Sequence, residues 1–271
     1  MTIELRGAKG SAVRPIMCFV YGLTCYAIFF ITFLYLIAFL ANLIVPKGID
    51  DGVPIATVTA VLIDLGLIAL FGIQHSVMAR PAFKKRLAAF LPQSVERSTF
   101  VLASSVVLIM LYWQWRPLPQ VVWFIQLPVW QASLWGLLLA GFGIVFLSTF
   151  VIDHFDMFGL RQVWLGLFSK TYRHPSFRVT YFYKFIRHPL YLGLLLGIWC
   201  TPLMTLGHLL FAMGMSVYIL IGVHFEERDL EMFLGEDYRR YKQRVPMLIP
   251  NFGKSHETIK GSPQVAETPA H

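Results

Sequence analysis

Long apolar stretches without an acidic or basic side chain dominate the sequence, and they alternate with short polar segments. There are five such stretches, and they cover residues 15–46, 65–79, 98–115, 117–152 and 188–225. Because about 20 apolar residues suffice for a helix to cross a bilayer, most of these stretches are long enough to span a membrane. The pattern therefore predicts an all-α fold, a polytopic bundle of transmembrane helices.

Composition and charge support a membrane protein and argue against a nucleic-acid partner. Hydrophobic residues make up 56% of the 271 residues and charged residues only 14%, against roughly 25% in a typical soluble domain. The formal net charge is +8, but the basic residues cluster between the apolar stretches, as the positive-inside rule requires. Cys18, Cys25 and Cys200 lie in apolar stretches without metal-ligand spacing, so no metal site is predicted.

The distribution of Lys and Arg predicts the topology. From the N-terminus to the C-terminus, the segments around the apolar stretches carry 3, 1, 5, 1, 6 and 7 basic residues. The positive-inside rule therefore places both termini and the segments 80–97 and 153–187 in the cytoplasm. Four spans precede residue 188, and the 38-residue stretch 188–225 must return to the cytoplasm.

This last stretch predicts a helical hairpin, because Pro202 and Gly207 interrupt it near its middle. Its first limb is short; Pro189 suits the first helical turn, and Gly193 permits close packing. Full crossing and a re-entrant hairpin are both compatible with this length.

The segment after the hairpin predicts a soluble element. Residues 226–242 are charged, with apolar residues at helical spacing, and predict a cytoplasmic amphipathic helix. We expect one integral-membrane domain over residues 1–253, followed by a disordered polar tail over residues 254–271.

Ionisable residues near the ends of the spans are candidate functional residues, since such groups are costly in a bilayer. His75 follows Asp64 by eleven residues, about three helical turns, and Arg80 ends the same helix. This spacing suggests a polar stripe that leads into a cytoplasmic cavity. A structural hydrogen bond of His75 and an interfacial Arg80 are the alternatives.

A second cluster follows the fourth span. Asp153 or Asp156 could orient His154 as a base, and Arg161 lies in the same ten-residue segment. An interfacial cap held by an Asp–Arg pair is the structural alternative.

Two further clusters lie at the ends of the hairpin. Arg187 and His188 open it, and Glu226 and Glu227 close it, so hairpin folding brings the two pairs together at the cytoplasmic surface. Such a set can hold a ligand that bears both charge signs. A salt-bridged anchor is the alternative.

These residues form a motif that resembles a membrane methyltransferase superfamily. The RHPxY…EE pattern, Arg187-His188-Pro189 with Tyr191 and then Glu226-Glu227, is similar to that of isoprenylcysteine carboxyl methyltransferases and phospholipid methyltransferases. The N-terminal half, with the sequence QHSVMARP at residues 74–81, is similar to the NnrU-like branch. Together these segments resemble the bacterial methanethiol S-methyltransferases, and this resemblance implies a protein of the bacterial inner membrane.

The resemblance implies an enzyme that uses S-adenosylmethionine as co-substrate and methylates a small volatile thiol, methanethiol, to dimethyl sulfide. It implies that the part over residues 181–250 forms the S-adenosylmethionine site. The candidate cofactor-binding residues are Tyr183, Arg187, His188, Pro189, Tyr191, Gly193, Glu226, Glu227 and Tyr238.

A thiol attacks efficiently only as its thiolate, so a base or a positive charge should activate it. The candidate catalytic residues are His75, His154, Asp153, Asp156, Arg80 and Arg161. His75 is favoured over His154 as the base because Asp64 shares its helical face. The alternatives are a prenylcysteine or phospholipid acceptor, or a non-enzymatic, haem-associated membrane protein of the NnrU-like branch. The oligomeric state is left open.

Overall fold

The computed structural model describes residues 2–3, 13–173 and 181–249. Its helices are α1 Val13–Ala41, α2 Thr57–Ala79, α3 Pro81–Leu87, α4 Glu96–Gln114, α5 Pro128–Ile152, α6 His154–Met157, α7 Leu160–Leu167, α8 Pro189–Trp199, α9 Leu206–Leu234 and α10 Glu236–Arg244. Its short strands are β1 Thr2–Ile3, β2 Val121–Phe124, β3 Tyr172–Arg173 and β4 Leu203–Thr205, and two 3-10 helices lie at Gln93–Val95 and Tyr181–Lys184.

Among the described residues, 5 helices are long and apolar enough to cross a membrane. They are α1, α2, α4 with the 3-10 turn before it, α5 and α9, and α8 is a shorter apolar helix. The predicted all-α, polytopic membrane fold with four N-terminal spans and a C-terminal hairpin is confirmed. The predicted tail over residues 254–271 lies outside the described residues.

The C-terminal hairpin crosses the bundle from one end to the other. Its first limb is α8, which has 11 residues and starts at Pro189, as predicted. The chain then runs extended into β4, which pairs antiparallel with β2 in the connection between α4 and α5. At the hairpin tip, Thr205 also donates a hydrogen bond to Asp50 in the connection between α1 and α2, at 2.6 Å. We call this end of the bundle the distal end, and the end that carries α3, α6, α7 and α10 the basic end.

Glycines bring the backbones of α5 and α8 into direct contact. A Cβ atom added at Gly193 would lie 2.6 Å from the carbonyl oxygen of Gly141 and 2.9 Å from the backbone nitrogen of Val145. Gly197, one turn further along α8, packs equally closely against the ring of Phe142. Small residues four positions apart permit such close approach of membrane helices. The expectation that Gly193 permits close packing is confirmed.

We therefore expect Gly193→Ala to destabilise the bundle. The added methyl group meets backbone atoms, which cannot move aside without separating α5 and α8. Overpacking of this kind costs about 1–3 kcal/mol, so the thermal denaturation midpoint in detergent should fall. The matched control is Gly143→Ala on α5, where an added Cβ meets no atom within 4 Å. Equal midpoints for the two variants would contradict this packing.

The predicted amphipathic helix over residues 226–242 is wrong as a single separate element. Helix α9 continues without a break from the membrane span to Leu234, and α10 then starts at Glu236. Gly235 separates the two helices with φ +58° and ψ −128°, a conformation that a side chain disfavours. Glu226 and Glu227 therefore lie on the spanning helix itself.

The predicted stripe from Asp64 to His75 is also wrong. Asp64 is fully buried near the distal end, where its Oδ1 accepts a hydrogen bond from the backbone N–H of Arg116 at 2.9 Å. His75 lies about 16 Å further along α2, towards the basic end. The two side chains share a helical face, but Asp64 caps the connection after α4 and does not contact His75.

Candidate active site

His75 is held between α2 and α9 near the basic end. The Tyr218 hydroxyl on α9 lies 2.8 Å from His75 Nδ1. Phe71 and Phe100 flank the imidazole, with ring centroids at 5.6 and 4.8 Å. Within the described part of the chain, no hydrogen bond uses His75 Nε2. The pair therefore fixes the ring through one nitrogen and leaves the other nitrogen for a ligand.

Two arginines lie near this pair. The guanidinium of Arg80, at the end of α2, stacks on the ring of Phe225 of α9 at 4.9 Å from the centroid. Arg97 lies over the Phe100 ring at 5.4 Å from the centroid and donates to the carbonyl oxygen of Met157 at 2.7 Å. Arg80 is thus the cation on the face of α9 that carries Tyr218.

Glu226 is the available carboxylate of the site. The Glu226 side chain is exposed, and its Oε2 accepts a hydrogen bond from Tyr191 of α8 at 2.8 Å. Its Oε1 accepts no hydrogen bond from the residues that the structure describes. Tyr183 lies nearby; burial, together with the charge of Glu226, raises the pKa of Tyr183, so its phenol stays protonated and can donate. One oxygen of Glu226 is therefore open to a ligand.

Glu227 is engaged within the protein. Its Oε1 accepts from Arg187 Nε at 2.8 Å and lies 3.1 Å from His188 Nε2, and its Oε2 pairs with Lys242 of α10 at 3.0 Å. Hydrogen bonds to Glu231 and Glu227 raise the pKa of Lys242, which keeps it charged. The Glu227 carboxylate thus neutralises the buried Arg187 guanidinium and also pairs with the partly exposed Lys242.

Arg187 also anchors the C-terminal helix. Its Nη1 donates to the carbonyl oxygens of Lys242 and Val245, at 2.8 and 2.7 Å, at the end of α10. A cation at this position interacts favourably with the helix dipole. The backbone N–H groups of Arg187 and His188 donate to the carbonyl oxygens of Pro246 and Met247. Arg187 and His188 therefore clamp α10 against the start of the hairpin.

The aromatic residues of α10 pack beneath this clamp. Tyr238 is 1% exposed and packs against Tyr241 with the two rings tilted by 57°, and the Tyr241 hydroxyl donates to the carbonyl oxygen of Tyr183 at 2.6 Å. Burial raises the pKa of both phenols. Tyr238 thus supports the segment that carries Tyr183.

The cluster after the fourth span forms a capping network. Asp153 Oδ1 accepts the backbone N–H of Asp156 at the start of α6, and its Oδ2 pairs with Arg161 at 2.7 Å. Asp156 accepts hydrogen bonds from Gln162 and Tyr172, and burial with this bond raises the pKa of Tyr172 to about 12. This arrangement corresponds to the interfacial cap that the sequence left as the alternative.

His154 is buried in an aromatic cluster, with both ring nitrogens engaged. Nε2 lies 2.7 Å from the Tyr26 hydroxyl, and Nδ1 lies 2.7 Å from the Thr149 hydroxyl. The imidazole stacks on Phe150 at 4.2 Å. Burial lowers the pKa of His154, an effect that the charge of Asp153 partly offsets. The structure therefore gives His154 a packing role between α1 and α5.

This environment predicts an acid-sensitive fold. Because the pKa of His154 is lower in the folded chain than in the unfolded one, the unfolded chain binds more protons as the pH falls through about 6.5, and stability decreases. His154→Gln can keep both hydrogen bonds but does not titrate. We expect its denaturation midpoint to fall less than that of the wild type between about pH 7.5 and about pH 5.5. An equal fall would contradict the buried neutral histidine.

Three residues of the site were not singled out from the sequence. They are Tyr218, Gly222 and Lys242. Tyr218 and Gly222 lie on α9 at four-residue spacing that continues to Glu226, and Lys242 lies on α10. The four-residue spacing in an otherwise apolar helix was an available signal for the first two. Lys242 could not be recognised, because its contact with Glu227 depends on the turn at Gly235.

The fold and the site together define an integral-membrane helical protein with a polar site at one end of its bundle. The chain belongs to the NnrU protein family, whose model matches residues 63–251.

Several relatives are named for an activity. A methanethiol S-methyltransferase 1 from Bradyrhizobium diazoefficiens is 48% identical over 241 residues, which cover 89% of this chain and 85% of that protein. A methanethiol S-methyltransferase from Mycobacterium tuberculosis is 44% identical over 238 residues, 88% of this chain and 98% of that protein. Nurim from Xenopus laevis is 30% identical over 233 residues, 79% and 80% of the two chains. No solved structure matches the chain. The resemblance noted in the sequence and the prediction of a methyltransferase are confirmed.

Proposed function

We propose that this protein transfers a methyl group from S-adenosylmethionine to methanethiol and so forms dimethyl sulfide. The names of its relatives support the acceptor. The observation that carries the proposal is that Tyr218 and Glu226 lie on one face of α9. Tyr218 holds His75 of α2 by a hydrogen bond, and Glu226 offers an open carboxylate oxygen. A base and a carboxylate are thus available on the two sides of a single site.

The residues around Glu226 fit the donor chemically. S-adenosylmethionine carries an ammonium group, a carboxylate and ribose hydroxyls, and it supplies an electrophilic methyl group on a positively charged sulfur. Glu226 Oε1 accepts from the ammonium group or the ribose, Arg80 pairs with the carboxylate, and Tyr183 donates a further hydrogen bond. Arg187, His188 and Glu227 act indirectly, by holding α10 and the start of α8 in place.

His75 is the base in this proposal. When Nδ1 donates its hydrogen to the Tyr218 oxygen, Nε2 keeps a lone pair that can accept the thiol proton. Phe71 and Phe100 restrict water around the imidazole, so the thiolate forms in a sheltered place. Holding the sulfur about 3–3.5 Å from the methyl group then supplies much of the acceleration.

The basic end faces the cytoplasm of a bacterial cell in this proposal. Connections rich in Lys and Arg lie at this end, and the donor is a soluble, charged molecule. Methanethiol and its product are small and weakly polar, so they reach and leave the site through the bilayer.

The direct test is a headspace gas-chromatography assay of purified protein in detergent. We expect dimethyl sulfide only when S-adenosylmethionine and methanethiol are both present, and donor binding by calorimetry without the thiol. Donor binding without product would overturn the acceptor and favour a prenylcysteine or a phospholipid. Absence of donor binding would overturn the proposal as a whole.

A further inference from the structure

Glycines bring α2 and α9 close together in the membrane, but the space over one glycine of α9 is open. A Cβ atom added at Gly214 of α9 would lie 2.8 Å from the side chain of Ile68, and one added at Gly72 of α2 would lie 3.0 Å from the ring of Tyr218. At Gly222, two turns beyond Gly214 on α9, an added Cβ meets no atom within 4 Å. The space over Gly222 is therefore open.

This opening lies between the two halves of the candidate site. Gly222 is four residues after Tyr218 and four before Glu226, so it shares their helical face. Tyr218 bonds to His75 of α2 on one side, and Glu226 accepts from Tyr191 of α8 on the other. A group that lies over Gly222 is thus flanked by the base His75 and by Glu226, the carboxylate that binds the methyl donor.

We infer that the space over Gly222 is the acceptor pocket, and that the missing side chain at this position sets the size of the thiol that reacts. The inference rests on the proposed function and deepens it. Because this space exceeds the needs of a single added carbon, the enzyme also methylates longer alkanethiols such as 1-propanethiol. Their alkyl chains occupy the volume that any larger side chain at position 222 would fill.

The reaction of a longer thiol follows the same balance as that of methanethiol. The S–H proton moves to His75 Nε2, and a lone pair of the sulfur forms the new S–CH3 bond. The bond between the methyl carbon and the donor sulfur breaks, and its electron pair returns to that sulfur, which becomes a neutral thioether. The products are methyl propyl sulfide and S-adenosylhomocysteine, with no further reactant.

The test compares wild type, Gly222→Ala, Gly222→Leu and Gly66→Leu with methanethiol and with 1-propanethiol, by headspace gas chromatography. Gly66 is the matched control, because an added Cβ there also meets nothing within 4 Å and its position is opposite His75 on α2. We expect Gly222→Ala to lower kcat/KM for 1-propanethiol about tenfold more than for methanethiol, since one carbon in a pocket has effects of this size. Gly222→Leu should lose both activities, and Gly66→Leu should retain both.

The outcomes separate this inference from the proposed function. Donor binding and the denaturation midpoint are measured for each variant, and Gly222→Ala carries the test if the leucine variant does not fold. If the Gly222→Leu variant methylates both thiols as fast as the wild type does, the pocket assignment is overturned and the proposed function stays intact. Wild-type protein that methylates methanethiol but not 1-propanethiol would also overturn the inference. Wild-type protein that methylates neither thiol would overturn the proposed function.

Discussion

The variant His75→Ala is expected to bind S-adenosylmethionine like the wild type and to form dimethyl sulfide about 10²- to 10⁴-fold more slowly, the range for loss of a general base. The reason is the geometry at Tyr218, which orients the imidazole through Nδ1 and leaves Nε2 for the thiol. The measurement is kcat at saturating donor, together with donor affinity by calorimetry.

The pH profile distinguishes a base from a structural histidine. At higher pH the solution itself supplies thiolate, so the activity of His75→Ala should rise towards that of the wild type. Tyr218→Phe keeps the base but loses its orienting partner, and a smaller decrease is expected. The control is His154→Gln, which should stay active because His154 contacts Tyr26 and Thr149, away from α9. Near-normal turnover in His75→Ala would exclude His75 as the base.

The second large effect is expected for Glu227→Ala, as a loss of stability. Removing this carboxylate leaves the Arg187 guanidinium without its anion and His188 Nε2 without its partner, while Lys242 keeps only Glu231. The Arg187 and Glu227 side chains are only 8% and 9% exposed, so water screens this ion pair weakly. Breaking a buried ion pair costs about 3–5 kcal/mol. The denaturation midpoint in detergent should fall strongly, and α10 should become susceptible to proteolysis.

The neighbouring variant Glu226→Gln is the matched control. Glu226 is exposed and bonds only to Tyr191 among the described residues, so its replacement should leave the denaturation midpoint unchanged. Donor affinity should fall about tenfold or more, because a hydrogen bond to a charged group contributes about 1.5–3 kcal/mol. If Glu227→Ala instead kept the wild-type midpoint and lost donor affinity, Glu227 would be the donor ligand and the assignment of the two glutamates would be reversed.

The membrane architecture could be predicted because it depends on composition over long stretches. Apolar stretches without charge predict the spans, and the interruption at Pro202 and Gly207 predicts the hairpin, which the structure contains between α8 and α9. The close contact at Gly193 also followed from residue type. These features require no knowledge of which side chains meet in space.

The distribution of roles within the site could not be predicted, because it depends on long-range contacts. Adjacent Glu226 and Glu227 look equivalent in sequence, but they project from different faces of α9 and meet Tyr191 and Arg187 respectively. Helical periodicity placed Asp64 and His75 on one face of α2, but it could not show that Asp64 bonds to the connection after α4. Tyr218 was overlooked in an apolar stretch, where a lone tyrosine is ordinary.

The most direct test of the account follows the methyl group itself. Purified protein in lipid vesicles is given S-adenosylmethionine that is deuterated in the transferable methyl group, together with unlabelled methanethiol, and the headspace is analysed by mass spectrometry. The account predicts dimethyl sulfide that carries the label in one of its two methyl groups, with its formation strongly reduced in His75→Ala. Unlabelled dimethyl sulfide, or labelled product formed equally fast by His75→Ala, would contradict it.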